Sequence, residues 1–183
     1  MSRILVLYGT TEGHTAKVAR ALAARLTAAG METDVREAGL GKPEPAAYDG
    51  VIVAASMHAR GYQKSVSKWL RAHVGDLNVL PTAFVSVCLS VRSTLEKSRD
   101  EARAIPRRYV DGFGWTPTMI KVVAGALPYT KYNFVIRLIM RRIAAAEGGD
   151  TDTSRDYEYT DWQDLRAFAD RFAAIVSARR HAA

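Results

Sequence analysis

Tyr8-Gly9-Thr10-Thr11-Glu12-Gly13-His14-Thr15 stands between two segments of opposite character. Ahead of it, Ile4, Leu5, Val6 and Leu7 form a continuous apolar run of strand length, the pattern of a parallel strand covered on both faces. Behind it, Val18, Leu22 and Leu26, with Ala19, Ala23 and Ala29 alongside, recur at helical spacing up to Gly30, which is placed to stop the helix. A strand, a short loop of Gly and Thr, and a helix start make an anion site. Loop and first-turn amides are left without intrahelical partners, and the helix dipole adds positive potential. Phosphate is the natural occupant. The loop lacks the Lys-Ser/Thr pair of a Walker A loop and the GxGxxG spacing of dinucleotide folds, so it suits one terminal phosphate held by hydroxyls and amides. A plain βα turn with a Thr cap is the alternative for the same residues.

Outward from this stretch, strand and helix signals alternate. Met31, Thr33 and Val35 alternate with charged residues, as in an edge strand, and Val51–Ala55 read as a buried strand. Val66, Trp69, Leu70 and His73 give a helical face expected to end near Gly75. Thr82–Cys88 form a fourth strand, 98–109 an Arg-rich helix, and Ile120–Gly125 a fifth strand. The final helix carries Leu165, Phe168, Phe172, Ile175 and Val176 behind a Thr160-Asp161-Trp162-Gln163 segment with capping-box spacing. The alternation predicts an α/β doubly wound parallel sheet of order 2-1-3-4-5, with helices on both faces. A ligand then sits beyond the carboxyl ends of the strands at the switch point between strands one and three, where the loops 9–15, 56–62 and 89–97 meet.

The first of these loops resembles the flavodoxin phosphate loop, in which Ser/Thr hydroxyls and amides wrap the FMN phosphate. Thr10, Thr11, Gly13 and Thr15 match it. Glu12 departs from it, standing where short-chain flavodoxins usually have another Thr, and is expected to face solvent because an inward carboxylate would repel phosphate. Further on, Gly125-Ala126-Leu127, the Tyr-rich Pro128-Tyr129-Thr130-Lys131-Tyr132, a basic-apolar helix over 133–146, the run Gly148-Gly149-Asp150-Thr151-Asp152-Thr153 and Tyr159-Thr160-Asp161-Trp162 are similar to one branch, the menaquinone-dependent protoporphyrinogen IX dehydrogenases of heme biosynthesis. The similarity covers essentially the whole chain. It implies a flavodoxin-like fold with a helical insertion before the last helix, bound FMN, and oxidation of protoporphyrinogen IX with a quinone as acceptor. It places Thr10, Thr11, Glu12, Gly13, His14 and Thr15 around the phosphate. Ser56, Met57, His58, Ala59, Arg60, Gly61 and Tyr62, with Ser86, Val87, Cys88, Leu89 and Ser90, flank the isoalloxazine ring. Only Tyr62 and His58 are available in the second loop as ring-stacking groups, which leaves one flavin face open to a bulky substrate. The core alone is equally compatible with a flavodoxin-type electron carrier or an NAD(P)H:quinone reductase.

Composition bounds the rest. At 183 residues and 48% hydrophobic content, the chain is expected to form one domain over 1–183, with the insertion at about 127–159. A single Cys88 excludes an intrachain disulfide, and the apolar run after Met1-Ser2-Arg3 is too short for a secretory signal, so the sequence reads as cytoplasmic. No run spans a bilayer, which leaves peripheral contact at the inner face of the cell membrane. A net charge of +7 favours anionic partners, yet no nucleic-acid recognition motif is present. His14, His58, His73 and His181 lack metal-ligand spacing, no nucleophile elbow exists, and Asp150 and Asp152 fall short of a calcium loop. Cys88 reads as a small buried residue rather than a redox thiol. Arg60, Lys64, Arg92 and Lys97 either meet substrate propionates or form a solvated basic surface. In the insertion, Phe134, Val135, Leu138, Ile139 and Ile143 share one helical face beside Lys131, Arg137 and Arg141. That face docks on an anionic membrane, forms a homodimer seam, or packs on the sheet.

Overall fold

The computed structural model describes residues 1–41, 43–57 and 61–182. Five parallel strands, β1 (Arg3–Gly9), β2 (Glu32–Glu37), β3 (Gly50–Ser56), β4 (Thr82–Cys88) and β5 (Met119–Ala124), pair in the order β2-β1-β3-β4-β5. Their side chains alternate between two cores, as the pleat requires. Ile4, Val6 and Tyr8 pack with α1 (His14–Ala28) and α5 (Trp162–Ala182) on one face. Leu5 and Leu7 pack with α2 (Lys64–Val79) and the end of α3 (Glu96–Asp111) on the other. The sheet is therefore covered twice, and β1, β3 and β4 are buried along nearly their whole length, which explains their unbroken apolar reading. Trp115, buried on the second face, donates its indole N–H to Thr82 Oγ1 at 3.0 Å, so a polar group in the core is satisfied rather than stranded.

Helix boundaries differ from expectation in three places. Gly30 does close α1, with φ of +84° and its amide on the Thr27 carbonyl at 2.9 Å. Gly75 does not close α2, which runs on to Val79. The stop comes from Pro81, because the residue before a proline is pushed to extended backbone, and Leu80 adopts it. The third helix starts at Glu96 and runs to Asp111, longer at both ends than 98–109. The capping box before α5 is also displaced by one residue. Asp161 Oδ1 accepts the Gln163 and Asp164 amides at 3.0 and 2.9 Å, while the Thr160 hydroxyl is spent elsewhere.

Between β5 and α5 the insertion builds a third, smaller core. Two short strands, β6 (Ala126–Leu127) and β7 (Tyr157–Glu158), pair antiparallel, and Leu127, Tyr129, Tyr132 and Ala144 bury together beside Leu89. Its helix, α4 (Phe134–Ala146), is N-capped by Asn133, whose side chain accepts the Ile136 amide at 2.9 Å. At its other end, Thr94 donates its amide to the Glu147 carbonyl at 2.9 Å and its hydroxyl reaches the same oxygen at 3.3 Å. Gly148 permits that latch, since a Cβ there would fall 2.4 Å from Thr94 Oγ1. The outer face of α4 is uncovered: Phe134 is 79% exposed, and Val135, Ile136, Leu138, Ile139 and Ile143 are exposed with it. The face does not pack on the sheet. No described helix is long and apolar enough to cross a membrane.

Candidate functional site at the carboxyl ends of the strands

The β1–α1 loop is held open around a helix start. Thr10 Oγ1 accepts the Gly13 amide at 2.9 Å, folding the loop back, and Gly13 takes φ of +89°, which a side chain would strain. Gly13 occupies the N-cap position without a side-chain cap, so the first-turn amides of α1 keep their donors for a ligand. Thr15 adds the most telling atom. The residue is 1% exposed and its Oγ1 is buried with no hydrogen-bond partner among the described residues. A hydroxyl buried in this way costs about 1–3 kcal/mol unless something pairs with it. Glu12 is exposed, and its charge reaches Tyr132, whose phenol is pushed up to about 12, first by burial and then by that carboxylate.

Gln63, at the N-cap of α2, ties the first loop to the second and had no signal in the sequence pattern. Its Nε2 donates to Ser56 Oγ at 2.6 Å and Thr11 Oγ1 at 3.2 Å, while its Oε1 is buried without a partner among the described residues. Gly9 allows the approach, because a Cβ there would lie 2.5 Å from Val66 Cγ2. In the second loop, Met57 is half-buried and its amide bonds the Val87 carbonyl at 2.8 Å. Gly61 is exposed with φ of +97°. His58, Ala59 and Arg60 lie outside the described residues. Tyr62 is not on the loop surface: its ring packs against Phe84 and Tyr109, and its hydroxyl meets buried Ser86 Oγ at 2.8 Å. Burial raises the Tyr62 phenol strongly. Tyr62 and Ser86 are spent on each other within the second core.

The third loop leaves β4 through buried Val87 and Cys88 to half-buried Leu89 and Ser90. Burial pushes the Cys88 thiol up, and the Glu147 carboxylate adds to the shift, which is the setting of an inert thiol rather than a nucleophilic one. A pocket of about 110 Å³ lies between this loop and α4, lined by Leu89, Leu127, Met140, Ile143, Arg92 and Glu147, among others. Of the basic candidates, Arg92 borders it, with its guanidinium 5.2 Å from the centre of the Tyr159 ring. Lys64 begins α2 and Lys97 lies in α3, away from its lining.

His14 binds the first loop to the insertion. Its Nε2 is 2.8 Å from Thr160 Oγ1, whose own proton goes to the Ala124 carbonyl at 2.7 Å. Thr160 can therefore only accept, so Nε2 carries the imidazole proton. Burial lowers the His14 pKa, with Lys17 opposing protonation and Glu158 favouring it. Glu158 in turn accepts Lys17 Nζ at 2.6 Å and the Trp162 indole at 2.9 Å. The return of the insertion thus lies directly against the start of α1.

The flavodoxin-domain family matches residues 5–154. The protoporphyrinogen IX dehydrogenase [quinone] of Escherichia coli strain K12 is 32% identical over 175 residues, covering 95% of this chain and 96% of that protein. A protein of the same name from Leishmania major is 33% identical over 175 residues, covering 94% of this chain and 75% of its own length. Among solved structures, an archaeal flavodoxin superposes with a TM-score of 0.58 at 13% identity, covering 96% of this chain and 99% of its own. That last likeness speaks to the fold alone.

Proposed function

The chain belongs to the flavodoxin-domain family and, within it, to the protoporphyrinogen IX dehydrogenases [quinone], and from that premise we propose that it is an FMN enzyme. It oxidises protoporphyrinogen IX to protoporphyrin IX, with a menaquinone-type quinone as electron acceptor, in heme biosynthesis. The observation that carries the cofactor assignment is the buried, unpartnered Thr15 hydroxyl beside an uncapped helix start. A phosphate supplies the acceptors that these donors lack, and the lack of GxGxxG spacing in the loop favours a mononucleotide over a dinucleotide.

Thr15, the loop hydroxyls of Thr10 and Thr11, and the first amides of α1 would hold the phosphate, with Gln63 Oε1 left to accept from a sugar-alcohol hydroxyl. The second and third loops would border the ring. When bound, the flavin supplies the capacity to take an electron pair from one substrate and pass it to another, which none of the chain's own side chains offers. The protein's part is to position, to exclude water and to leave one ring face accessible. With Tyr62 turned into the core, the described residues of the second loop present no aromatic ring to cover it.

The same reading gives α4 a place at the inner face of the cell membrane. Both substrates have large hydrophobic bodies, and the helix exposes six large apolar side chains beside Arg141 and Arg142. The apolar face would enter the acyl boundary while the arginines meet anionic headgroups. Appearance of porphyrin fluorescence from protoporphyrinogen IX, dependent on both FMN and an added quinone, tests the function.

A further inference from the structure

We infer that the pocket between the β4 exit loop and α4 receives one pyrrole edge of the porphyrinogen, its propionate on Arg92 and its pyrrole N–H on Glu147. This assignment rests on the function proposed above and names where its substrate binds. Three features of the pocket converge on that ligand. The first is an acceptor in want of a donor. Glu147 Oε1 takes the Ser98 hydroxyl at 3.1 Å, but Oε2 is buried with no partner among the described residues. A buried carboxylate oxygen is costly unpaired, and a pyrrole N–H satisfies it.

The second feature is apolar wall. Leu89, Leu127, Met140, Ile143 and Ala144 line most of the surface and suit the ring carbons and the methyl group that accompanies a propionate on the same pyrrole. At about 110 Å³, the space is well below the ~300 Å³ of pockets that enclose a whole drug-sized ligand. It takes one substituted ring, and the rest of the macrocycle lies outside. Ile143 is both part of this wall and half-exposed on the outer face of α4, so the pocket borders the apolar surface on which the remainder can rest.

The third feature is a cation at the edge. Arg92 is exposed, stacks over Tyr159, and has no ion pair with a described carboxylate. Asp150 also lines the pocket, but its Oδ2 accepts the Tyr159 hydroxyl at 2.6 Å. The Asp150 carboxylate opposes a second anion, so it is the Arg92 guanidinium, able to donate two hydrogen bonds, that would hold a propionate at this edge. A quinone ring, which bears only acceptors and no charge, could take a hydrogen bond from Arg92 but would leave Glu147 Oε2 unpaired.

Holoprotein titrated with protoporphyrin IX and with its dimethyl ester, read by fluorescence anisotropy, tests the assignment. Wild type is expected to bind the diacid about tenfold more tightly than the ester, the scale of one charge-assisted hydrogen-bonded pair. Arg92→Ala should bring the diacid down to the ester's affinity and leave the ester unchanged. Glu147→Gln should raise the KM for protoporphyrinogen IX about threefold, since a neutral acceptor is roughly half as strong, and leave both planar porphyrins unaffected, because their N–H groups face the ring centre. Met140→Trp, which fills the space, should abolish binding of both while the flavin absorbance stays as in wild type. If wild type turns over protoporphyrinogen but Arg92→Ala and Met140→Trp keep full porphyrin affinity, the pocket is not the substrate site and the function stands. If Met140→Trp loses menadione binding and keeps porphyrin binding, the pocket belongs to the quinone and the assignment is overturned. Wild type that neither binds porphyrin nor turns over protoporphyrinogen overturns the assignment and the function together.

Discussion

His14 Nε2 rests 2.8 Å from Thr160 Oγ1, joining the first residue of α1 to the segment that returns from the insertion 146 positions later. The contact makes the loop after β1 and the insertion one mechanical unit. Because Thr160 gives its proton to Ala124, Thr160→Val strands both the His14 N–H and the Ala124 carbonyl. Urea denaturation should show a loss of about 1–3 kcal/mol.

The same histidine sets a pH dependence. Its folded pKa lies below the unfolded value of 6.5, so the unfolded chain binds the proton more readily. The stability it contributes is present above pH 6.5 and is lost as pH falls through the depressed folded value. His14→Gln should flatten that part of the profile of unfolding free energy against pH, measured between pH 5 and 8.

Thr15→Val separates cofactor binding from folding. Valine has the shape of threonine without the unpaired buried hydroxyl, so the apoprotein should melt at the same temperature or slightly higher. FMN affinity should fall by about tenfold, the worth of one hydrogen bond to a charged acceptor. Flavin fluorescence quenching reads the affinity, and calorimetry of the apoprotein reads the stability.

Phe134→Asp combined with Ile139→Asp tests the exposed face of α4. Both side chains stand mostly in solvent, at 79% and 51% exposure, and position 134 lies in the first helical turn, where a carboxylate is tolerated. Thermal stability should change little, FMN should stay bound, and co-sedimentation with anionic vesicles at low salt should be lost. Wild type that ignores such vesicles, or dimerises through this face, would refute the membrane contact.

Much of this architecture was legible because parallel strands and phosphate loops are local signals. The apolar runs at 4–7, 51–55 and 82–88 and the Gly13-to-Gly30 helix follow directly from periodicity and from glycine. What escaped is set by tertiary contact. Tyr62 reads as a loop aromatic, but the second core beneath it offers Phe84, Tyr109 and the Ser86 hydroxyl, and burying a ring with its hydroxyl paired outweighs display. Thr160 reads as a helix cap, yet the half-buried carbonyl of Ala124 claims its proton and leaves capping to Asp161. Gln63 and Glu147 carried no motif, since their roles arise only where loops distant in sequence meet. The amphipathic α4 reads alike as core or as surface; its exposed side is decided by the latch at Glu147 and the small core around Tyr129.

The most direct test of the whole account is anaerobic turnover by the purified, FMN-loaded protein. Protoporphyrinogen IX and a menaquinone analogue are supplied together, and porphyrin fluorescence and quinone reduction are followed in the same cuvette. Porphyrin should appear only when flavin and quinone are both present, with quinone reduced in step. Brisk NADPH-dependent quinone reduction without porphyrin formation, or electron delivery to a protein partner with no quinone turnover, would contradict it.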